Sequence, residues 1–211
     1  MIIAITDRKI SAASDFLAQV EAIADSSPDM LILREKDISE AEYRYLAVEC
    51  IRICRYRNVK FCVNSFIGTA AAINNGRVQV SFGSLMADKE KLKDFEEVWV
   101  SVHSLNEAVE AERMGATHLI YGNVFETSCK PGAEGKGVKE LAEVCKAVGI
   151  PVFAVGGIDV NNAGAAINAG CDGVCVRSLL MASMDPAATM EELRERIDRG
   201  RSLGRSSSFF L

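Results

Sequence analysis

LIYGNVFETSCKPGAEGKG, residues 119–137, shows the pattern on which the fold prediction rests. It begins as a short apolar run of strand length and continues as a glycine-rich loop with one proline and two lysines. Glycine lets backbone N–H groups approach an anion closely, and lysine adds positive charge. The pattern therefore predicts a strand followed by an anion-binding loop, although an ordinary solvated loop has a similar composition.

The same succession of apolar run and polar loop recurs along the chain. The predicted strands are Ile2 to Thr6, Met30 to Arg34, Lys60 to Asn64, Val78 to Phe82, Val98 to Val102, Leu119 to Gly122, Val152 to Val155 and Gly173 to Val176. Eight strands separated by segments of helical period predict an α/β protein whose parallel sheet closes into a (β/α)8 TIM barrel.

Helix signals support this alternation. The predicted helices are Ser11 to Ala24, Ser39 to Arg55, Glu107 to Met114, Val138 to Val148, Asn161 to Ala169 and Met190 to Arg199. Ser39 with Glu42, and Ser104 with Glu107, have the spacing of a capping box. The predicted organisation is a single barrel domain, residues 1–199, and a polar C-terminal tail, residues 200–211, whose order the sequence leaves open.

Composition excludes several classes of protein. The chain has 211 residues, 49% hydrophobic content and a net charge of −5, which argues against a nucleic-acid or anionic-membrane surface. No apolar run approaches the ~20 residues that span a bilayer, and the start of the chain lacks the order of a signal peptide. We expect a cytoplasmic protein that binds a small molecule; a homo-oligomer is compatible with the sequence.

The seven cysteines form no CxxC pair and no cluster with histidine, so we expect neither a disulfide framework nor a metal site. Most lie in apolar segments and are predicted to be buried thiols in a reducing compartment. Cys129, in the loop quoted above, is the one candidate for an exposed, reactive thiol; an incidental loop thiol is the alternative.

Polar residues follow most of the predicted strands, where the active sites of barrels lie. Candidate ligand-binding side chains are Arg34, Lys36, Asn64, Ser101, Thr127 and Lys130. Gly156 and Gly157 after the seventh strand, with Arg177 and Ser178 after the eighth, occupy the position where barrels bind phosphate through backbone N–H groups. The sequence therefore predicts a phosphate site between the last two strands.

Titratable groups at these strand ends are candidates for proton transfer. His103 lies just past the fifth strand and is a candidate acid or base. Asp7 and Glu35 are alternatives, although Glu35 alternates away from Arg34 and is expected to brace the barrel wall. His118, the other histidine, begins the sixth strand out of phase with Leu119 and is predicted to face the helix layer in a structural role.

Six strand ends together resemble a known family. The motifs are LREK at 33–36, Asn64, SVH at 101–103, GNVFET at 122–127 with Lys130, AVGGI at 154–158 and VCVRS at 174–178. In order and spacing they resemble the thiamine phosphate synthase/TenI superfamily over essentially residues 2–195. The resemblance implies a (β/α)8 barrel that binds a thiazole phosphate in thiamine biosynthesis.

The superfamily has two branches that predict different chemistry. Synthases join a pyrimidine methyl diphosphate to a thiazole phosphate with Mg²⁺, and the two aspartates they use correspond here to Ser65 and Ser84, while their pyrimidine-contacting glutamine corresponds to Ile32. The run from Ser101 to Val138 resembles the TenI branch, the thiazole tautomerases. The main prediction is therefore a TenI-like isomerase without a cofactor, and Mg²⁺ is expected only if the chain is a synthase.

The chain departs from the TenI branch at one position of the site. At the position of Asn123 that branch has a histidine that looks like the proton carrier, and asparagine does not titrate. His103 is then the candidate substitute. The alternatives are a thiamine phosphate synthase, a thiazole-phosphate-binding regulator without catalysis, and an unrelated phosphate-binding barrel, for which Asp7 supplies only half of the usual catalytic pair.

Overall fold

The computed structural model is a closed barrel of eight parallel strands in sequential order. It describes residues 1–127, 132 and 134–207, with side chains up to residue 202. The strands are β1 Ile2–Ile5, β2 Met30–Leu33, β3 Lys60–Asn64, β4 Arg77–Ser81, β5 Glu97–Val102, β6 His118–Gly122, β7 Val152–Val155 and β8 Gly173–Val176. Pairing of β1 with β8 closes the sheet and confirms the predicted (β/α)8 barrel.

Helices connect the strands and cover the barrel. They are α1 Phe16–Asp25, α2 Glu40–Tyr56, α3 Ile67–Ala72, α4 Phe82–Leu92, α5 Leu105–Arg113, α6 Gly137–Ala147, α7 Ala163–Asn168, α8 Ser178–Met181 and α9 Pro186–Ser207, and a 3-10 turn spans Arg8–Ile10. The first predicted helix begins later than expected, because Asp15 caps it and accepts the N–H of Leu17. The capping box of Ser39 and Glu42 is confirmed.

Strand alternation divides the core into two layers. One set of buried side chains fills the barrel interior: Ile3, Ile5, Met30, Ile32, Cys62, Trp99, Ile120, Phe153 and Cys175. The alternate strand residues pack outward against the helices, among them Leu31, Leu33 and Val100. Because parallel strands are buried on both faces, they are almost continuously apolar, and polar residues accumulate where the strands end. Among the described helices, none is long and apolar enough to cross a membrane.

The predicted orientation of His118 is wrong. Its ring stacks on Trp99, with 4.0 Å between ring centroids, at the bottom of the barrel interior. The outward positions of β6 are Leu119 and Tyr121, whose hydroxyl donates to Glu140 of α6. The prediction placed Asn123 in phase with these two residues, but Asn123 follows the end of β6. Burial lowers the pKa of His118, which favours a neutral ring in this stack.

The predicted boundary at residue 199 does not coincide with the end of a helix. Helix α9 continues through Gly200 to Ser207. Gly200 packs on Gly164 of α7, where a Cβ on Gly200 would lie 2.8 Å from the Gly164 carbonyl oxygen. Gly200 therefore allows a close helix crossing instead of ending the helix. Residues 208–211 of the predicted tail lie outside the described residues.

Candidate functional site

A cavity of about 280 Å³ opens at the carboxyl ends of the strands. Its lining contains nearly all the predicted site residues: Arg34, Lys36, Asn64, Ser101, His103, Asn123, Thr127, Gly156, Gly157, Arg177 and Ser178. Lys130 and Cys129 lie outside the described residues. The barrel thus brings side chains from distant parts of the sequence to one chamber, as the strand-end argument predicts.

Two consecutive glycines shape one wall of the cavity. Gly156 and Gly157 have φ angles of +92° and +66°, a region that L side chains rarely adopt. A Cβ on Gly157 would lie 2.2 Å from the carbonyl oxygen of Glu126. In the described part of the chain, the backbone N–H groups of Gly157, Ile158 and Ser178 have no hydrogen-bond acceptor. We call this wall the amide cradle; its free donors suit a phosphate.

Arg34 and Lys36 supply positive charge to the same cavity. The backbone N–H of Arg34 donates to Thr6 Oγ1 at 2.9 Å, which links the end of β2 to the end of β1. No carboxylate of the described residues pairs with the Arg34 guanidinium or the Lys36 ammonium. Partial burial, and secondarily the charge of Arg34, lower the pKa of Lys36. An anion bound beside Arg34 and Lys36 would stabilise the ammonium form of Lys36 and offset the repulsion between the two cations.

Arg177, unlike Arg34 and Lys36, pairs with a carboxylate of the described residues. Its guanidinium forms an ion pair with Asp7, with 3.1 Å between Nη1 and Oδ2, and joins the ends of β8 and β1. Sequence reasoning singled out both residues but not the pair, because contact between the first and last strands exists only once the barrel closes. Asp7 therefore orients a cation at the cavity edge, an interaction that competes with its sequence-based role as a proton carrier.

Glu35 braces the wall beside this pair. It is buried, accepts the hydroxyl of Thr6 at 2.8 Å and pairs with Arg8. Arg8 also pairs with Asp37, and this contact, followed by that of Lys9, holds the pKa of Asp37 well below its usual range. Glu35 does not line the cavity. Its partners are structural, in line with the orientation predicted from strand alternation.

The wall formed by β3, β4 and β5 is uncharged. Asn64 donates its amide to Gln79 Oε1, and Gln79 donates to Ser101 Oγ at 2.8 Å and to the Val80 carbonyl at 2.9 Å. Gln79 was missed by sequence reasoning. The signal was present, because a glutamine between Val78 and Val80 in a strand has to find buried partners.

His103 contacts the carbonyl oxygen of Gly122, and Asn123 is the next residue along the chain. The imidazole Nδ1 of His103 is 2.6 Å from Gly122 O, and the backbone N–H of His103 donates to Glu107 at 2.7 Å. Asn123 is buried and donates its amide to the carbonyls of Phe125 and Glu134, each at 3.3 Å. The structure therefore anchors both candidates at the cavity.

The described residues do not suit Mg²⁺. They contain no group of three His, Cys, Asp or Glu side chains that could hold a metal ion, and the cavity lining contains no carboxylate. Ser65 lines the cavity and donates to Asn64 Oδ1 at 3.1 Å, whereas Ser84 Oγ lies 2.8 Å from Ser81 Oγ. Mg²⁺ is normally bound through carboxylate oxygens, so this donor set is poor for it.

Comparisons with known proteins agree with this architecture. The family described as thiamine monophosphate synthase, TMP-TENI, matches residues 2–180. A thiamine-phosphate synthase of Clostridium acetobutylicum is 33% identical over 181 residues, 85% of this chain and 86% of the relative. One from Pyrococcus abyssi is 33% identical over 195 residues, 92% of this chain and 93% of the relative.

Solved structures give the same result. A thiamine phosphate pyrophosphorylase from Pyrococcus furiosus superposes with a TM-score of 0.84 at 28% identity, over 94% of this chain and 96% of that one. The family match and the two relatives span most of the chain. The protein therefore belongs to the thiamine monophosphate synthase/TenI family.

Proposed function

We propose that this protein acts in thiamine biosynthesis and binds a thiazole phosphate in the barrel cavity. The observation that carries the proposal is the amide cradle of Gly157, Ile158 and Ser178 in one chamber with Arg34 and Lys36. The free N–H groups would bind the phosphate, and the cations would attract a second anionic group. The uncharged wall of Asn64, Gln79 and Ser101 would face the heterocycle.

The first candidate activity is that of a thiamine-phosphate synthase, which joins a pyrimidine methyl diphosphate to a thiazole phosphate. The curated relatives carry this name, so the comparisons favour the alternative of the sequence analysis over its main prediction. On this proposal Arg34 and Lys36 would bind the diphosphate and balance its charge as it leaves. Mg²⁺ does not fit the donors that the described residues offer.

The second candidate is the TenI-like tautomerase. It is favoured by one observation: the described cavity lining contains no carboxylate for Mg²⁺ but does contain His103. Tautomerisation moves one proton and needs no metal, whereas it does need a titratable group at the ligand. A regulator that binds the thiazole phosphate without converting it is the remaining alternative.

An NMR time course tests these candidates. The thiazole carboxylate phosphate is incubated with the protein or with buffer alone, and its ring signals are followed. The thiazole phosphate, pyrimidine methyl diphosphate and Mg²⁺ are then combined in a second tube, with a parallel tube that contains EDTA.

Each result has a distinct meaning. Thiamine phosphate in the second tube supports the synthase, and its formation in EDTA would agree with the donor set of the described cavity. Conversion of the first ligand supports the tautomerase. Line broadening of the ligand without product supports the regulator, whereas unchanged lines in every tube would refute the proposed thiazole phosphate pocket.

A further inference from the structure

One hydrogen bond determines the tautomer of His103. Nδ1 lies 2.6 Å from the Gly122 carbonyl oxygen, and a carbonyl oxygen can only accept. Nδ1 must therefore carry the proton. In the neutral ring this leaves the lone pair on Nε2, which has no partner among the described residues. His103, an exposed residue that lines the cavity, thus carries an acceptor without a described partner.

The backbone at His103 is also held by hydrogen bonds. The N–H of His103 donates to Glu107 at 2.7 Å, and the N–H of Glu107 donates to Ser104 Oγ at 3.1 Å. These two hydrogen bonds at the start of α5 fix the turn that carries the imidazole: Ser104 caps the helix, and the Glu107 carboxylate accepts from His103 instead of completing the capping box. The imidazole is therefore held at Nδ1 and the backbone at its N–H, while Nε2 stays open.

Ser101, two residues earlier, presents a donor to the same cavity. Gln79 directs its amide hydrogens to Val80 O and Ser101 Oγ, at 2.9 and 2.8 Å, so the Ser101 oxygen is already an acceptor. Its hydroxyl hydrogen remains for another partner. Ser101 and His103 both line the cavity, so a donor and a basic acceptor follow each other along one strand end.

We propose that His103 Nε2 is the catalytic base that takes a proton from a ring carbon of the bound thiazole carboxylate phosphate, in the tautomer in which that carbon is tetrahedral. The C–H bond breaks, its electron pair moves into the ring, and an N–H bond forms at Nε2. The imidazolium then returns that proton to another atom of the same conjugated system, so the ligand is isomerised without net loss or gain. The Gly122 carbonyl stabilises the imidazolium, and Ser101 donates to the atom that gains electron density.

This inference rests on the tautomerase form of the proposed function, but its first test does not need turnover. The chain has two histidines, so long-range ¹H–¹⁵N correlation spectra of ¹⁵N-histidine-labelled protein contain two imidazoles. His103→Gln identifies the His103 signals by their loss. In the neutral ring we expect His103 to show a protonated Nδ1 and an unprotonated Nε2. The opposite tautomer would overturn the proposal.

The second test measures proton transfer on the bound ligand. In D₂O, wild type is expected to exchange the proton on the tetrahedral ring carbon of the thiazole carboxylate phosphate, whereas His103→Gln should keep its affinity and lose about 10²- to 10⁴-fold in exchange rate. Added imidazole should restore exchange in His103→Ala. His118→Gln, the same substitution at the barrel bottom, is the matched control and should exchange like wild type once circular dichroism confirms its fold.

The outcomes separate the two proposals. If wild type does not bind the thiazole phosphate, the proposed function fails. If wild type binds it and His103→Gln exchanges equally fast, or if wild type binds without exchange, the inference about His103 fails while the binding function stands. Loss of exchange with retained affinity and imidazole rescue supports both.

Discussion

The phenolic oxygen of Tyr43 joins two strand ends of the barrel. It donates to the Leu33 carbonyl at 2.6 Å and accepts the backbone N–H of Asn64 at 2.9 Å. Tyr43 belongs to α2, and its ring is fully buried and stacks on Phe66, with 4.1 Å between the ring centroids. Because Arg34 follows Leu33 directly, one hydroxyl positions both the cationic and the uncharged wall of the cavity.

Removal of this hydroxyl is expected to cost stability. Tyr43→Phe leaves a buried N–H and a buried carbonyl without their partner, which should lower the free energy of unfolding by about 2 to 4 kcal/mol. Urea denaturation followed by circular dichroism measures the loss. Tyr45→Phe, at a side chain that is 63% exposed on the same helix, is the matched control and should change stability by less than about 0.5 kcal/mol. Equal stability of Tyr43→Phe and wild type would contradict the bridging role.

The amide cradle depends on the absence of a side chain at Gly157. Gly157→Ala places a Cβ 2.2 Å from the Glu126 carbonyl oxygen at a φ of +66°, so the backbone has to shift. Affinity for the thiazole phosphate should fall at least tenfold, which corresponds to a loss of about 1.4 kcal/mol in binding free energy. Titration calorimetry is the measurement.

The control for that variant is a glycine with similar backbone strain and no cavity contact. Gly115 has a φ of +104°, and a Cβ there would meet nothing within 4 Å. Gly115→Ala should lose some stability and keep its affinity for the ligand. If both alanine variants bind as tightly as wild type, the loop after β7 does not hold the phosphate.

The barrel itself was predictable because buried parallel strands are short and apolar, and β3, β7 and β8 have the predicted bounds. The cavity lining followed from the rule that strand ends converge. Helices α3, α4 and α8 were not predicted. With 6 and 4 residues, α3 and α8 are too short to show a helical period, and α4 is interrupted by non-helical backbone angles at Asp88.

Contacts between distant strands were harder to predict. The Asp7–Arg177 ion pair joins residues 170 positions apart, so it is visible only when β1 meets β8. The inward orientation of His118 was missed because Asn123, which follows the end of β6, was counted in phase with Leu119 and Tyr121, and an error of one residue reverses every side chain of a strand. The sequence pattern therefore predicted the cavity and most of its lining residues, whereas the Asp7–Arg177 ion pair could be identified only in the closed barrel.

Arg34 is expected to attract the anionic part of the ligand. Arg34→Gln keeps hydrogen-bonding capacity and removes the charge, so affinity should fall by about 1.5 to 3 kcal/mol, roughly 10- to 150-fold. The salt dependence of binding should weaken at the same time. Arg44→Gln, on the exposed face of α2, is the control and should bind like wild type. Unchanged affinity in Arg34→Gln would show that the ligand lies elsewhere.

Lys36 should react unusually fast with acylating reagents at mildly alkaline pH. Partial burial, and then the charge of Arg34, lower its pKa, so a larger fraction of the amine is neutral and nucleophilic at a given pH. Arg34→Gln removes the second cause, raises the pKa of Lys36 and should slow its acylation. A bound phosphate ester should do the same, because an anion favours the ammonium form and blocks access. Peptide mapping by mass spectrometry compares Lys36 with exposed Lys139 in one digest, which serves as the internal control. If Lys36 reacts no faster than Lys139, or if Arg34→Gln leaves its rate unchanged, the two cations are not coupled in the cavity.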